Sequence, residues 1–75
     1  MIKAQRVKGQ KIAVLGLGRT GLSVALSLIE GGAEVIGWDD GRSALHDAEQ
    51  HGIPTQDLSR ISDWSSIASL IVSPG

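Results

Sequence analysis

The chain has 75 residues, a net charge of −1 and no cysteine. That length falls below the usual ~100–150-residue domain and hides only about 60% of the unfolded surface, so stability is marginal. Disulfides and thiolate metal sites are excluded; the near-neutral charge gives no electrostatic case for nucleic acid; and the lack of Phe and Tyr removes the stacking platforms of single-strand binders.

Lys3, Arg6, Lys8 and Lys11 precede an apolar run, the pattern of a secretory signal. Arg19 and Thr20 interrupt that run, and Gly16 and Gly18 weaken it as a helix. No stretch reaches the ~18–20 apolar residues of a membrane span. Ile12 to Leu15 is short, apolar and rich in β-branching, as a strand buried on both faces reads. It runs into G-x-G-x-x-G at Gly16, Gly18 and Gly21. From Thr20 the period changes. Leu22, Ala25, Leu26 and Ile29 form one helical face, and Gly31-Gly32 ends the helix. Glu34 to Trp38 is a second strand, closed by Asp39-Asp40-Gly41.

Ser43 is placed to cap a second helix with Leu45 and Ala48 inward and Gly52 as its terminator. Ile53-Pro54-Thr55 allows a short edge strand at most, since proline cannot donate to a central ladder. Asp63 can cap one helical turn carrying Trp64 and Ile67, and Leu70 to Val72 is the last strand. This alternation predicts an α/β fold: a Rossmann-like, doubly wound parallel sheet, incomplete, holding its first four strands. The whole of 1–75 reads as one truncated domain, the front end of a larger protein. In such a sheet the first and fourth strands are neighbours, and ligands bind beyond their carboxyl ends. Topology therefore brings together Gly16 to Gly21, Asp39-Asp40, and Ser73-Pro74-Gly75.

Each candidate has a chemical reason. A glycine turn after a strand and before a helix offers backbone amides to phosphate. Gly16 makes the turn, Gly18 admits a pyrophosphate, and Gly21 lets helix and strand approach. Thr20 can offer its hydroxyl to phosphate or cap the helix, and Arg19 can reach phosphate or stay in solvent. Asp39 lies 18 residues after Gly21, near the ~20-residue offset of an acid that holds a ribose hydroxyl and repels a 2′-phosphate. Asp39 is assigned to the ligand and Asp40 to capping. Trp38 reads as a strand residue packed against a helix. His46 and His51 are five apart and share no face for a metal. No catalytic constellation and no G-x-x-x-x-G-K-[S/T] loop is present. NAD binding, as in a dehydrogenase or regulatory protein, and nucleotide sensing both remain open on these residues.

Lys11 to Ser23, Trp38-Asp39-Asp40, Asp63-Trp64 and the closing Leu70 to Gly75 together resemble the start of the Mur ligase family of peptidoglycan synthesis, in its D-glutamate-adding members. The most specific parts are Gly-Leu-Gly-Arg-Thr-Gly-Leu-Ser and Ile-Val-Ser-Pro-Gly. The resemblance implies a domain that holds the UDP end of UDP-N-acetylmuramoyl-L-alanine in a cytoplasmic enzyme. Leu17, Gly18, Arg19 and Thr20 would face the diphosphate, and Gly16 and Gly21 belong to the same UDP-binding turn. Asp39, Asp40 and Arg42 would face the uracil, and Ser73, Pro74 and Gly75 the opposite wall. Matching Arg42 to the family's arginine takes a one-residue shift. The resemblance also implies ATP, Mg²⁺ and D-glutamate, held by later domains and not by this chain. The fragment by itself is expected to be inactive, with no nucleic-acid or membrane partner.

Overall fold

A computed structural model describes residues 8–73. Strand β1 spans Lys11–Leu15, helix α1 Arg19–Glu30, strand β2 Glu34–Trp38 and helix α2 Arg42–Gln50. Two single 3₁₀ turns, Leu58–Arg60 and Trp64–Ser66, precede strand β3 at Ser69–Val72. The sheet is parallel in the order β2-β1-β3, with Leu15 opposite Trp38 on one side and Val72 on the other. The last strand therefore lies beside the first, as the topology predicts. The fold is an incomplete α/β Rossmann-like sheet with interleaved helices.

The expected third strand is reduced to a single parallel bridge between Thr55 and Gly37. The Gly37 amide donates to Pro54 and the Gln56 amide to Gly37, so Pro54 supplies its carbonyl and avoids the donor role it lacks. Thr55 is tied sideways by its hydroxyl to Glu49 Oε2 at 2.8 Å. Among the described residues the sheet thus has three strands and one bridge where four strands were expected.

Alternation along the strands sends two sets of side chains to opposite faces. Ile12, Val14 and Val35 join Leu17, Ala25, Ala33, Ala48 and Ile53 in one buried cluster, onto which Leu22, Leu26, Ile29 and Leu45 pack. Each large aliphatic side chain removed from water there contributes about 1.5–3 kcal/mol. On the other face Ala13, Ile36 and Leu58 form a smaller cluster with Leu15, Trp38, Ile61 and Ile67. Trp38 therefore packs on the side of the 3₁₀ turns, and not against an α-helix as expected.

Both α-helices end in the same way. Gly32 and Gly52 take left-handed φ of 94° and 80°. Their amides donate to Ile29 and Glu49, and the next amides, of Ala33 and Ile53, donate to Leu28 and Ala48. These are Schellman stops, which satisfy the last carbonyls and turn the chain inward. Ala33 and Ile53, the residues turned inward, are both buried.

Candidate functional site

Two strand-to-helix junctions, both at the carboxyl end of the sheet, meet the end of β3. At the first, Gly16 has φ 97°, and a Cβ there would lie 2.7 Å from the Ser73 carbonyl oxygen. Only glycine fits that conformation and that approach. A Cβ on Gly21 would fall 1.7 Å from the Gly16 carbonyl oxygen, so α1 sits directly on the turn. Gly18 differs from both. Its backbone is extended (φ −66°, ψ −170°), and a Cβ would meet nothing within 4 Å. Internal packing does not require a glycine there.

Helix α1 begins at Gly18 without a side-chain cap. Its first backbone bond runs from the Leu22 amide to the Gly18 carbonyl at 2.8 Å. The amides of the first turn are thus left for partners outside the helix, and the helix dipole favours an anion there. Thr20, an alternative cap, is exposed within the first turn and caps nothing; Arg19 beside it is also exposed.

The second junction is organised by one carboxylate. Asp39 Oδ2 accepts from the Leu17 amide and Oδ1 from the Gly41 amide, both at 2.7 Å. The division of labour expected between the two acids therefore changes. Asp39 closes the turn into α2, whereas Asp40 is exposed and no hydrogen bond of its side chain occurs among the described residues. The α2 N-cap is Gly41, with no side-chain cap, and Ser43 lies inside the first turn. Neither Asp40 nor Ser43 caps the helix.

Leu17 also departs from expectation. Its side chain is 2% exposed and lies over Gly37, where a Cβ would be 2.9 Å from a Leu17 methyl. Its amide belongs to Asp39. Leu17 anchors the turn, its side chain buried and its amide on Asp39. Gly37, inside a strand, was the available signal for such a close approach.

The shoulders of the turn are fixed by backbone bonds at 2.8 Å, from the Gly16 amide to Trp38 and from the Ser73 amide to Leu15. A cavity of about 270 Å³ is bounded by Leu15, Gly16, Asp39, Asp40, Val72 and Ser73. Ser73 Oγ is buried there, without a hydrogen-bond partner among the described residues. An unpaired buried hydroxyl is costly. A second cleft of about 470 Å³ shares Leu15 and Asp40 and adds Trp38, Leu58, Trp64 and Leu70. Arg42 is exposed at the start of α2. Pro74 and Gly75, expected on the same wall, lie outside the described residues.

No group of three or more His, Cys, Asp or Glu that could hold a metal occurs among the described residues. His46 and His51 are exposed, and His51 Nδ1 lies 2.7 Å from the Asp47 carbonyl. No helix among the described residues is long and apolar enough to cross a membrane.

A family model described as the NAD binding domain of D-isomer specific 2-hydroxyacid dehydrogenases matches residues 1–74. The chain is also similar along all 75 residues to proteins named UDP-N-acetylmuramoylalanine--D-glutamate ligase. Identity is 51% with the protein from Roseobacter denitrificans, 43% with that from Bartonella henselae and 44% with that from Rhizobium meliloti. The chain spans 16% of the length of each of these relatives.

Proposed function

The chain belongs to the family of the D-isomer specific 2-hydroxyacid dehydrogenase NAD-binding domain, and its whole length is similar to part of the D-glutamate ligases; from this we propose that it binds the UDP end of a UDP-linked muramoyl substrate as one domain of a D-glutamate ligase of peptidoglycan synthesis. The carrying observation is the cavity beyond β1, where the glycine turn, the Asp39-Asp40 segment and the orphaned Ser73 hydroxyl converge. The amides of Gly18, Arg19 and Thr20 receive the diphosphate. Ser73 Oγ donates to a ligand oxygen from the opposite wall. Asp40 and Arg42, both exposed, stand on the base side of the turn together with Asp39.

The chemistry of the ligase, ATP-dependent amide formation onto D-glutamate, belongs to the rest of such an enzyme. The residues here do not fit ATP or Mg²⁺: there is no Gly-Lys-[Ser/Thr] loop and no acidic or histidine group for a metal among the described residues. No step of that reaction is assigned to this chain, and the fragment alone forms no product.

A second reading, NAD binding, is favoured by the match to the dehydrogenase domain family. Titration with UDP, UDP-N-acetylmuramate and NAD, followed by amide NMR shifts, separates the two. Uridine nucleotides are expected to move the amides of Gly18 to Gly21 and of Ser73. Tighter binding of NAD than of UDP overturns the ligase reading.

A further inference from the structure

We propose that Arg19 supplies the counter-charge for a ligand's diphosphate: its guanidinium, at the first position of α1, pairs with the phosphate oxygens that the amides beside it receive. The inference rests on the diphosphate reading above and adds to it a side chain that selects for ionised phosphate.

Three observations carry it. First, Arg19 stands against the local rule for a helix start. It is the first residue of α1, after an N-cap, Gly18, that gives no side-chain cap, and no acidic residue follows in the first turn. A cation there faces the positive end of the helix dipole, where an anion is favoured. Folding gains nothing in return. Arg19 is exposed, and the ion pairs among the described residues run from Lys11 to Glu34 and from Arg60 to Asp57. A residue that breaks a local rule without structural compensation marks a functional position. Second, the cavity needs a cation that its walls do not hold. They carry two carboxylates, Asp39 and Asp40, and no positive side chain. A diphosphate brought there without a counter-charge is repelled by both. Third, the start of α1 is more than a bare dipole. Ser73 Oγ is buried without a partner among the described residues, and its side chain lies against that turn: a Cβ on Gly21 would come within 3.2 Å of Ser73 Cβ.

Arg42 begins α2 in the same position, after a glycine N-cap, but it is not equivalent. The amide of that N-cap, Gly41, is held by Asp39 Oδ1 at 2.7 Å, so a carboxylate of the chain itself answers the dipole of α2. At α1 the same carboxylate stops one residue short of the N-cap, at the Leu17 amide. The first turn of α1 is therefore the one left for an anion from outside. A guanidinium suits that anion, because its fork of N–H groups meets two phosphate oxygens at once.

The test measures the affinity of the whole chain for inorganic pyrophosphate and for UDP, with Arg19→Gln, Arg19→Lys and Arg60→Gln beside the unaltered protein. Arg60→Gln removes the same charge from a residue outside the cavity. Arg19→Gln is expected to weaken both probes by the same factor, about tenfold or more, and to flatten the fall of pyrophosphate affinity with added salt. Arg19→Lys is expected to recover most of the loss, and Arg60→Gln to cause none. The urea midpoint of Arg19→Gln should equal or exceed that of the unaltered chain, because the lost cation opposed the dipole. Unchanged affinity for both probes overturns the proposal, as does UDP weakened with pyrophosphate unchanged, which makes Arg19 a base contact. An equal loss in Arg60→Gln overturns it in favour of overall charge. A lower midpoint with an affinity loss that lysine does not relieve makes Arg19 structural and overturns it too. If the unaltered chain binds pyrophosphate but not UDP, the uridine reading fails alone and the pyrophosphate comparison still decides the role of Arg19. If it binds neither, the diphosphate reading has failed and the proposal falls with it.

Discussion

The two strand-to-helix junctions do the same job with different materials. The one after β1 is shaped by the absence of side chains: Gly16 and Gly21 let a carbonyl and a helix come closer than any Cβ allows. The one after β2 is shaped by the presence of one: Asp39 bonds the amide at the head of α2 and reaches across to Leu17. Both helices then end in the same glycine stop. A steric junction tolerates no substitution but needs no charge. A hydrogen-bonded junction tolerates crowding but depends on ionisation and on one side chain's reach.

The contrast breaks most visibly at Gly21. Gly21→Ala sets a Cβ 1.7 Å from the Gly16 carbonyl oxygen, and the expected loss reaches or exceeds the ~3 kcal/mol upper end of ordinary overpacking. A urea midpoint near the unaltered value would show that the first junction is softer than its geometry says. Gly16→Ala is expected to cost less, about 1–3 kcal/mol, from a left-handed backbone and a 2.7 Å approach to Ser73. Asp39→Asn is expected to leave the core in place and to speed hydrogen exchange of the Leu17 amide, whose partner is the Asp39 carboxylate; unchanged exchange would show that this bond does little for the second junction.

Gly18→Ser sharpens the comparison by separating folding from binding. The site is open and extended, and serine is a better N-cap than glycine, so folding should gain a few tenths of a kcal/mol. Diphosphate affinity should fall about tenfold, because a hydroxymethyl group fills the space of approach. A serine variant that binds UDP as well as before would remove Gly18 from the site.

The smallest effect concerns two further acid-built turns. Asp57 and Asp63 each accept from the amide of the serine two residues on, Ser59 and Ser65. The hydroxyls of those serines, then their amides, hold both carboxyls below the usual aspartate range. A depressed folded value means the contribution is present above the unfolded value and is lost as pH falls through the folded one. Between about pH 4 and strongly acid solution the Ser59 and Ser65 amide shifts should therefore titrate. Asp63 is exposed and Asp57 only partly covered, so the change in overall stability should be slight.

What could be read in the sequence followed backbone rules. Glycine stops, the switch from β-branched run to helical period, and the placement of the last strand beside the first all depend on local stereochemistry or topology. The Asp63 turn was readable as Asp-x-Ser, and the same pattern at Asp57-Leu58-Ser59 marks the 3₁₀ turn that the reading missed. The roles of Asp39 and Asp40 were not readable. Adjacent acids at a strand end look alike until the pleat sends one toward the neighbouring turn and the other outward. Leu17 was hidden for a similar reason: an apolar residue inside a glycine motif looks like loop filler, and its socket over Gly37 lies 20 residues away.

The outer edge of β3 has a consequence for how the molecules behave in company. Among the described residues β3 pairs with β1 alone, and Leu70 and Val72 on it are 48% and 63% exposed. No lysine, proline or bulge guards Ser69–Val72, the devices that usually keep an edge from recruiting another strand. Concentration is therefore a hidden variable: molecules crowded together can extend their sheets into one another. Val72 and Ser73 also wall the cavity, so a strand added at that edge would sit beside it.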